Sequence, residues 1–374
     1  MTTTPDPALR PGTPLRIGVV VASQIDGGGE RYLRELYRGV QGSRAVLLGR
    51  LPGWRTTGRT ELDIGLGDKW SRSTIAPSMR RLPGEYRLSL RAIAEAHAAD
   101  PFDVFHAQYK REQILLTGPL SRLAPVVWTE HGILPDMRLA VPLRAAYRRV
   151  ARRVHTIVCV SDAVATSVRA TVGDHVDVTV IGNAVDLARF ARPDGHAGRE
   201  QPGSGCPLTI GVVARLDPAR RLDRAITAAA AAGARLVVAG DGPDRARLEA
   251  LARARRVEAT FLGSVTEVES VYHSVDALIF GALAREGFSL TLLEAAAANC
   301  PIIGFAEDRA VATTLADAGA VVLGAPEDLA TVDRTQLARA AANADRWVQH
   351  HDVAGWRERS FAVLAAAAAD GPRR

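Results

Sequence analysis

Short, unbroken apolar runs alternate along this chain with longer segments whose apolar residues recur every third or fourth position. The first run, residues 15–23 (LRIGVVVAS), is continuously apolar, the pattern of a parallel strand buried on both faces. Asp26-Gly27-Gly28-Gly29 ends it, and residues 30–40 follow with helical spacing of Tyr32, Leu33, Leu36, Tyr37 and Val40. The same reading predicts strands over 45–48, 103–106, 126–130, 156–160 and 178–181. Helices are predicted between them, over 86–98, 113–123, 139–153 and 163–171. Residues 51–84 have no clear period, and no element is predicted there.

From 191 to 207 the apolar period stops, and ARPDGHAGREQPGSGCP reads as a linker. The alternation then resumes, with strands over 208–214, 235–239, 259–262, 277–280, 301–305 and 320–323. Strands that alternate with helices assemble as a parallel sheet covered on both faces. The chain is therefore expected to be an α/β protein of two doubly wound, Rossmann-like domains, 15–190 and 208–346, behind a disordered leader, 1–14. A last helical stretch, 338–368, carries Trp347 and Trp356, and segment 347–374 is expected to cross back onto the first domain. Open parallel sheets bind ligands outside the carboxyl ends of their strands. Two such sheets facing a central cleft would offer it two walls.

Composition narrows the class. At 374 residues the chain exceeds one ordinary core, and 47% hydrophobic with 24% charged residues is a globular balance. Cys159, Cys206 and Cys300 lie far apart without metal-site or redox spacing, which fits free thiols in a reducing compartment. The first 14 residues are polar and Pro-rich, unlike a signal peptide, and no apolar run approaches the roughly 20 residues that span a bilayer. The protein is expected in the cytoplasm, with peripheral membrane contact as a further option. A net charge of +6 suits an anionic ligand, an anionic membrane surface or nucleic acid. The basic residues are spread along the chain, and no aromatic-studded basic strand or nucleic-acid motif accompanies them, so nucleic acid is not an expected partner.

The most specific chemistry lies in Arg285-Glu286-Gly287-Phe288-Ser289-Leu290-Thr-Leu-Leu-Glu294. Glu286 falls in a turn and Glu294 inside a helix that starts near Ser289. Backbone N–H groups of Gly287, Phe288, Ser289 and Leu290 would form an anion site at that helix start. A carboxylate one turn further in can accept hydrogen bonds from the paired hydroxyls of a sugar. The same residues also fit an ordinary capped helix after an acidic turn. There is no Asp-x-Asp pair and no His/Cys/Asp cluster with metal spacing, so neither metal nor cofactor is expected.

This Glu-x7-Glu segment, followed by an Ala-rich helix and the Pro-containing strand up to Phe305, resembles the signature of retaining GT-B glycosyltransferases of family four. Other segments resemble the family in the family's order. They are Gly27-Gly28-Gly29-Glu30-Arg31, Thr129-Glu130-His131-Gly132, Val160-Ser161-Asp162 and Ile181-Gly182-Asn183-Ala184-Val185-Asp186 in the first block. In the second they are Val213-Ala214-Arg215-Leu216-Asp217-Pro218-Ala219-Arg220, Gly240-Asp241-Gly242-Pro243 and Phe261-Leu262-Gly263-Ser264-Val265. Two positions depart from the pattern: Arg220 stands for Lys, and Ala184 for Gly.

The resemblance implies transfer of a hexosyl or N-acetylhexosaminyl group from a nucleotide sugar to a hydroxylated acceptor, with retention of anomeric configuration and without metal. UDP is the expected carrier on base rates. Arg215 and Arg220 would grip the donor diphosphate, which forked, permanently charged guanidinium groups suit. Glu294 would bind the ribose hydroxyls, Glu286 the transferred sugar, the backbone near Val265 the base, and Gly240 the approach to the donor. His131 would reach the sugar from the opposite wall, and Gly27 and Gly28 would let phosphate or acceptor approach the backbone closely. Residues 138–153 form a basic amphipathic helix that reads as a solvated face or as a contact for an anionic membrane. Two rival readings remain: a GT-B epimerase or hydrolase of nucleotide sugars, and a non-catalytic anion- or nucleic-acid-binding protein.

Overall fold

Every apolar run forms a strand, and each block of strands assembles as one parallel sheet. The computed structural model describes residues 14–24, 27–38, 43–57, 59–67, 75–133, 141–192, 207–281, 288–305 and 309–372. They divide into two compact units. One holds the described residues up to Gly182 together with those from Arg357 onward, and the other is Asn183–Trp356.

In the first unit the elements run β1 Leu15–Ala22, α1 Gly28–Tyr37, β2 Ser43–Arg50, β3 Thr60–Leu62, α2 Ile75–Ala99 and β4 Val104–Gln108. Then follow α3 Lys110–Leu120, β5 Val126–Glu130, α4 Val141–Ala151, β6 Thr156–Cys159, α5 Asp162–Val172 and β7 Asp177–Val180. The sheet order is β3-β2-β1-β4-β5-β6-β7. Strands β4, β5 and β6 are buried at every position, which is why their sequences show no polar alternation. The order reverses between β1 and β4, where Val20 pairs with Ala107. Carboxyl ends of adjacent strands part their connections there and leave a crevice.

The second unit repeats the plan with α6 Leu187–Phe190, β8 Thr209–Val213, α7 Asp223–Ala232, β9 Arg235–Ala239, α8 Arg245–Ala254, β10 Ala259–Gly263 and α9 Val268–Ser274. It continues through β11 Ala277–Phe280, α10 Leu290–Ala297, β12 Ile302–Phe305, α11 Arg309–Asp317, β13 Val321–Leu323, α12 Arg334–Val348 and α13 Val353–Asp370. The order β10-β9-β8-β11-β12-β13 puts this unit's reversal between β8 and β11. Successive strand residues feed two cores. Leu278, Phe280 and Ile302 join Leu292 and Val348, whereas Ala277, Ile279 and Ile303 join Ile226 and Leu248. Helices therefore cover both faces.

Differences from the sequence reading are local. Within 51–84 the chain makes a 3-10 turn, Trp54–Thr57, then the edge strand β3 and the start of α2. The single helix expected over 338–368 is two helices, because 3-10 residues Gln349–His351 break it and Asp352 is extended. Residues 183–190, read with the first domain, and 347–356, read with the C-terminal crossing segment, both belong to the second unit. Backbone pairing of Val185 with Asp352 holds these two stretches together, a bond between segments too distant for local pattern to reveal. Residues 1–13 of the expected leader 1–14 and 193–206 of the expected linker 191–207 lie outside the described residues. Cys159 and Cys300 are free and buried, and burial pushes both thiols up to about 12; Cys206 lies outside the described residues. Among the described residues, no helix is long and apolar enough to cross a membrane.

Beneath the first sheet's carboxyl end, the His106 ring is held between Tyr37 Oη at 2.7 Å and Thr129 Oγ1 at 2.8 Å. Burial, then the charge of nearby His131, pushes the His106 imidazole down to about 3. The unfolded chain takes this proton near pH 6.5 and the folded chain resists it, so stability is complete above that pH and falls as pH drops toward 3. Denaturant titrations between pH 6.5 and 4 should show a contribution of up to about 1.4 kcal/mol per pH unit from this group. His106→Gln should be weaker at pH 7 yet flatter across that window; parallel curves for the two proteins would remove the assignment.

Candidate functional site

In each unit, the described residues that the sequence singled out lie at or just beyond the carboxyl ends of strands or at helix starts. In the first unit, Gly27 caps α1 with extended backbone and no side-chain cap, and Gly28 is exposed. A Cβ on Gly27 would stand 2.9 Å from Glu30 Oε2, and one on Gly29 would stand 2.8 Å from Tyr109 Oη. The turn is packed from below. Glu30 is 1% exposed and accepts hydrogen bonds from Ser23 Oγ at 2.6 Å and Tyr109 Oη at 2.5 Å. Gln108 Nε2 donates to Gly29 O at 3.0 Å. Tyr109 reaches this position with φ at 71°, in the left-handed region that costs a side-chain-bearing residue about 1 kcal/mol or more. Burial, then the Glu30 carboxylate, holds its phenol well above the usual range.

His131 follows β5 and is half-buried, its ring edge-on to Tyr32 with centroids 4.7 Å apart. Tyr32 is itself buried, and burial pushes its phenol up to about 12. Glu130, beside His131, pairs with Lys110 and accepts from Tyr147 Oη at 2.9 Å, while the Lys110 ammonium lies 4.5 Å over the Tyr147 ring. The sequence singles out Glu30 within the 27–31 loop, but the contacts of Glu30 with Tyr109 and of Lys110 with Glu130 join distant segments and leave no local trace.

In the second unit, Arg215 leaves the end of β8 exposed, and among the described residues nothing engages its guanidinium. Arg220 closes a 3-10 turn capped by Asp217, and donates from Nη1 to Gly281 O at 2.7 Å, tying the end of β11 to the loop after β8. Lys has one compact ammonium, whereas Arg can spend one N–H on this carbonyl and keep others for a ligand. Gly240 follows β9 with φ at 137°, and a Cβ there would lie 1.9 Å from Ala214 O. Its N–H bonds Gly263 O at 2.7 Å, which brings the chain that leads to half-buried Val265 alongside.

Glu286 and Gly287 lie outside the described residues. Phe288 stacks on Trp347 at 6.1 Å, Ser289 is the buried cap of α10 without a side-chain cap bond, and Leu290 opens the helix. No acidic residue occupies the first turn of α10, so nothing there competes with an anion for the leading amides. Glu294 sits one turn further on, 4% exposed, accepting from Tyr272 Oη at 2.8 Å. Arg215, Arg220, Gly240, Val265 and the start of α10 thus gather at the carboxyl ends of four strands in one sheet. Among the described residues, no group of three or more His, Cys, Asp or Glu is placed to hold a metal.

Residues 199–334 match the family model described as Glycosyl transferases group 1, and residues 26–189 match that of Glycosyltransferase Family 4. A Mycobacterium tuberculosis GDP-mannose-dependent alpha-(1-6)-phosphatidylinositol dimannoside mannosyltransferase is 31% identical over 264 residues, covering 63% of this chain and 68% of that protein. Among solved structures, Anabaena HepE in complex with UDP shares the fold with a TM-score of 0.76 and 17% identity, over 94% of this chain and all of the other. A glycosyltransferase from Rickettsia africae aligns with a TM-score of 0.74 and 14% identity, over 94% and 98%.

The left-handed Gly240 offers a direct check on this crevice. Gly240→Ala meets a carbonyl oxygen and a disfavoured φ together, and should cost about 1–3 kcal/mol. A thermal melt should fall by several degrees, and unchanged melting would mean that the turn is built otherwise.

Proposed function

Since the chain belongs to the family-four GT-B glycosyltransferases, we propose that it moves a mannosyl group from GDP-mannose to a hydroxyl of an anionic, lipid-borne acceptor, with retention and without metal. The relative at 31% identity is named for GDP-mannose and a phosphatidylinositol mannoside, and that likeness in sequence outweighs the initial expectation of UDP. Anabaena HepE has been seen with UDP and UDP-glucose, but at 17–18% identity it shares the fold alone. The observation that carries the reading is the grouping of Arg215, the acid-free first turn of α10 and buried Glu294 around one switch point.

In this reading the donor diphosphate lies against the leading amides of α10, with Arg215 and Arg220 countering its charge. Glu294 is pre-oriented by Tyr272 to accept the two ribose hydroxyls. The backbone near Val265 takes the base, and Glu286 the mannose hydroxyls. As the bond between the anomeric carbon and phosphate oxygen breaks, the acceptor oxygen bonds that carbon on the same face. The acceptor proton passes to the departing phosphate, and GDP leaves. Fixed cations and helix amides stabilise the charge growing on that phosphate, as a divalent ion would elsewhere. His131 is assigned to the transferred sugar and the Gly27–Gly28 turn to the acceptor.

Charge on the first unit supports a cytoplasmic enzyme working at an anionic membrane. A pocket of about 640 Å³ has Ile114 and Leu115 among its lining and Arg122, Arg149, Arg152 and Arg153 around it. Residues 141–154 contain no acid, and among the described residues none of these four arginines is paired. Val141, at the start of α4, is 60% exposed.

The test is incubation of the purified protein with GDP-mannose or UDP-glucose and a lipid extract, followed by mass spectrometry. A mannosylated lipid and free GDP are expected, with the rate unchanged by EDTA. Glu294→Ala should weaken donor binding at least about tenfold, as loss of a buried, charge-assisted contact predicts. His131→Ala should cut turnover more than donor affinity. Wild-type turnover in both variants would overturn the site; epimerised or hydrolysed donor with no product would favour the rival enzyme. For the membrane contact, Arg149→Ala with Arg152→Ala should lower partition onto phosphatidylglycerol vesicles by roughly thirtyfold, at about 1 kcal/mol per arginine. Equal partition of wild type and variant would dismiss it.

A further inference from the structure

The chain passes between its two units at two places, after Gly182 and after Trp356. The second unit begins with Asn183, which is 5% exposed, and its side chain does not face solvent. Asn183 Nδ2 donates to Phe288 O at 3.2 Å, across 105 residues of sequence. The backbone carbonyl of Asn183 meets His351 Nδ1 at 3.1 Å, and the Val185 N–H donates to His351 O at 3.0 Å. The His351 ring lies 5.4 Å from Phe288 and 4.8 Å from Trp347. Both crossing segments are therefore fastened to each other and to the residue just before the cap of α10.

What that fastening does follows from the planarity of the peptide bond. The carbonyl of Phe288 and the N–H of Ser289 belong to one rigid trans unit and point in opposite directions. Whatever fixes the Phe288 oxygen also aims the Ser289 N–H, one of the leading amides of a helix whose cap residue supplies no side-chain bond. Asn183 grips the oxygen from one side while the Phe288 ring is packed by Trp347 and His351. Asn183 Oδ1 is buried with no hydrogen-bond partner among the described residues. Packing alone would favour an apolar residue over a half-satisfied buried amide.

We propose that Asn183 is a positioning residue for the donor site: it holds the Phe288 carbonyl so that the first amides of α10 face the nucleotide diphosphate. The proposal rests on the reading that α10 binds that diphosphate. It makes donor affinity depend on the segment where the chain enters the second unit.

Asn183→Ala and Asn183→Asp separate the possibilities, read by titration calorimetry with GDP or UDP, whichever wild type binds more tightly, and by thermal melting. Asn183→Ala should weaken nucleotide binding by about tenfold, the scale of one oriented hydrogen bond, while melting within a few degrees of wild type. Asn183→Asp keeps the shape but turns two acceptor oxygens toward a carbonyl, and should bind still more weakly. A lower melting point with unchanged nucleotide affinity in both variants would show a purely structural role and overturn the inference. Failure of wild type to bind either nucleotide would overturn the proposed function, and this inference with it.

Discussion

Parallel strands bring their carboxyl ends to one edge, and where strand order reverses nothing fills the gap between the connections that leave them. In the second unit that gap lies between β8 and β11. The loop after β8 supplies Arg215 and Arg220, and α10 supplies unneutralised amides followed by Glu294. Positive groups need not be placed one by one; the sheet order delivers them together. Gly240 admits the close passage of β9's exit that this requires, because any side chain there would strike Ala214 O.

Much of this was legible in the sequence because both fold and motif are local. Buried parallel strands write themselves as unbroken apolar runs, and the Glu-x7-Glu spacing puts its second carboxylate one helical turn past a helix start. What was not legible depends on distance. The grip of Asn183 on Phe288 spans 105 residues and that of Tyr109 on Glu30 spans 79, so neither leaves a periodic trace. The helix read over 113–123 begins earlier, at Lys110, and its first turn carries the charged residues Lys110, Arg111 and Glu112. Arg111 and Glu112 are 1% and 0% exposed, paired at 2.7 Å, with Glu112 also accepting the Ala22 N–H at 3.0 Å. Polar residues that satisfy one another in a core look like surface to any pattern of hydrophobicity.

Two departures from the family's pattern find physical answers. Ala184 stands where Gly is usual, and it is not among the residues with positive φ, so this backbone does not need glycine. Arg220 stands for Lys, and one of its N–H groups anchors Gly281 O, a second duty that the planar guanidinium can carry. The first unit carries a different kind of polarity. Its buried carboxylates Glu30 and Glu130 are already engaged by Ser23, Tyr109 and Lys110.

The central claim is that affinity for the donor resides in its diphosphate. Calorimetric titration of GDP, GMP and guanosine into the wild-type protein tests it most directly. Two charge-assisted contacts predict that GDP binds at least about a hundredfold more tightly than guanosine, with GMP between them. That advantage should shrink as salt is raised. Equal binding of guanosine and GDP would contradict the account, because the base and ribose alone would then hold the donor.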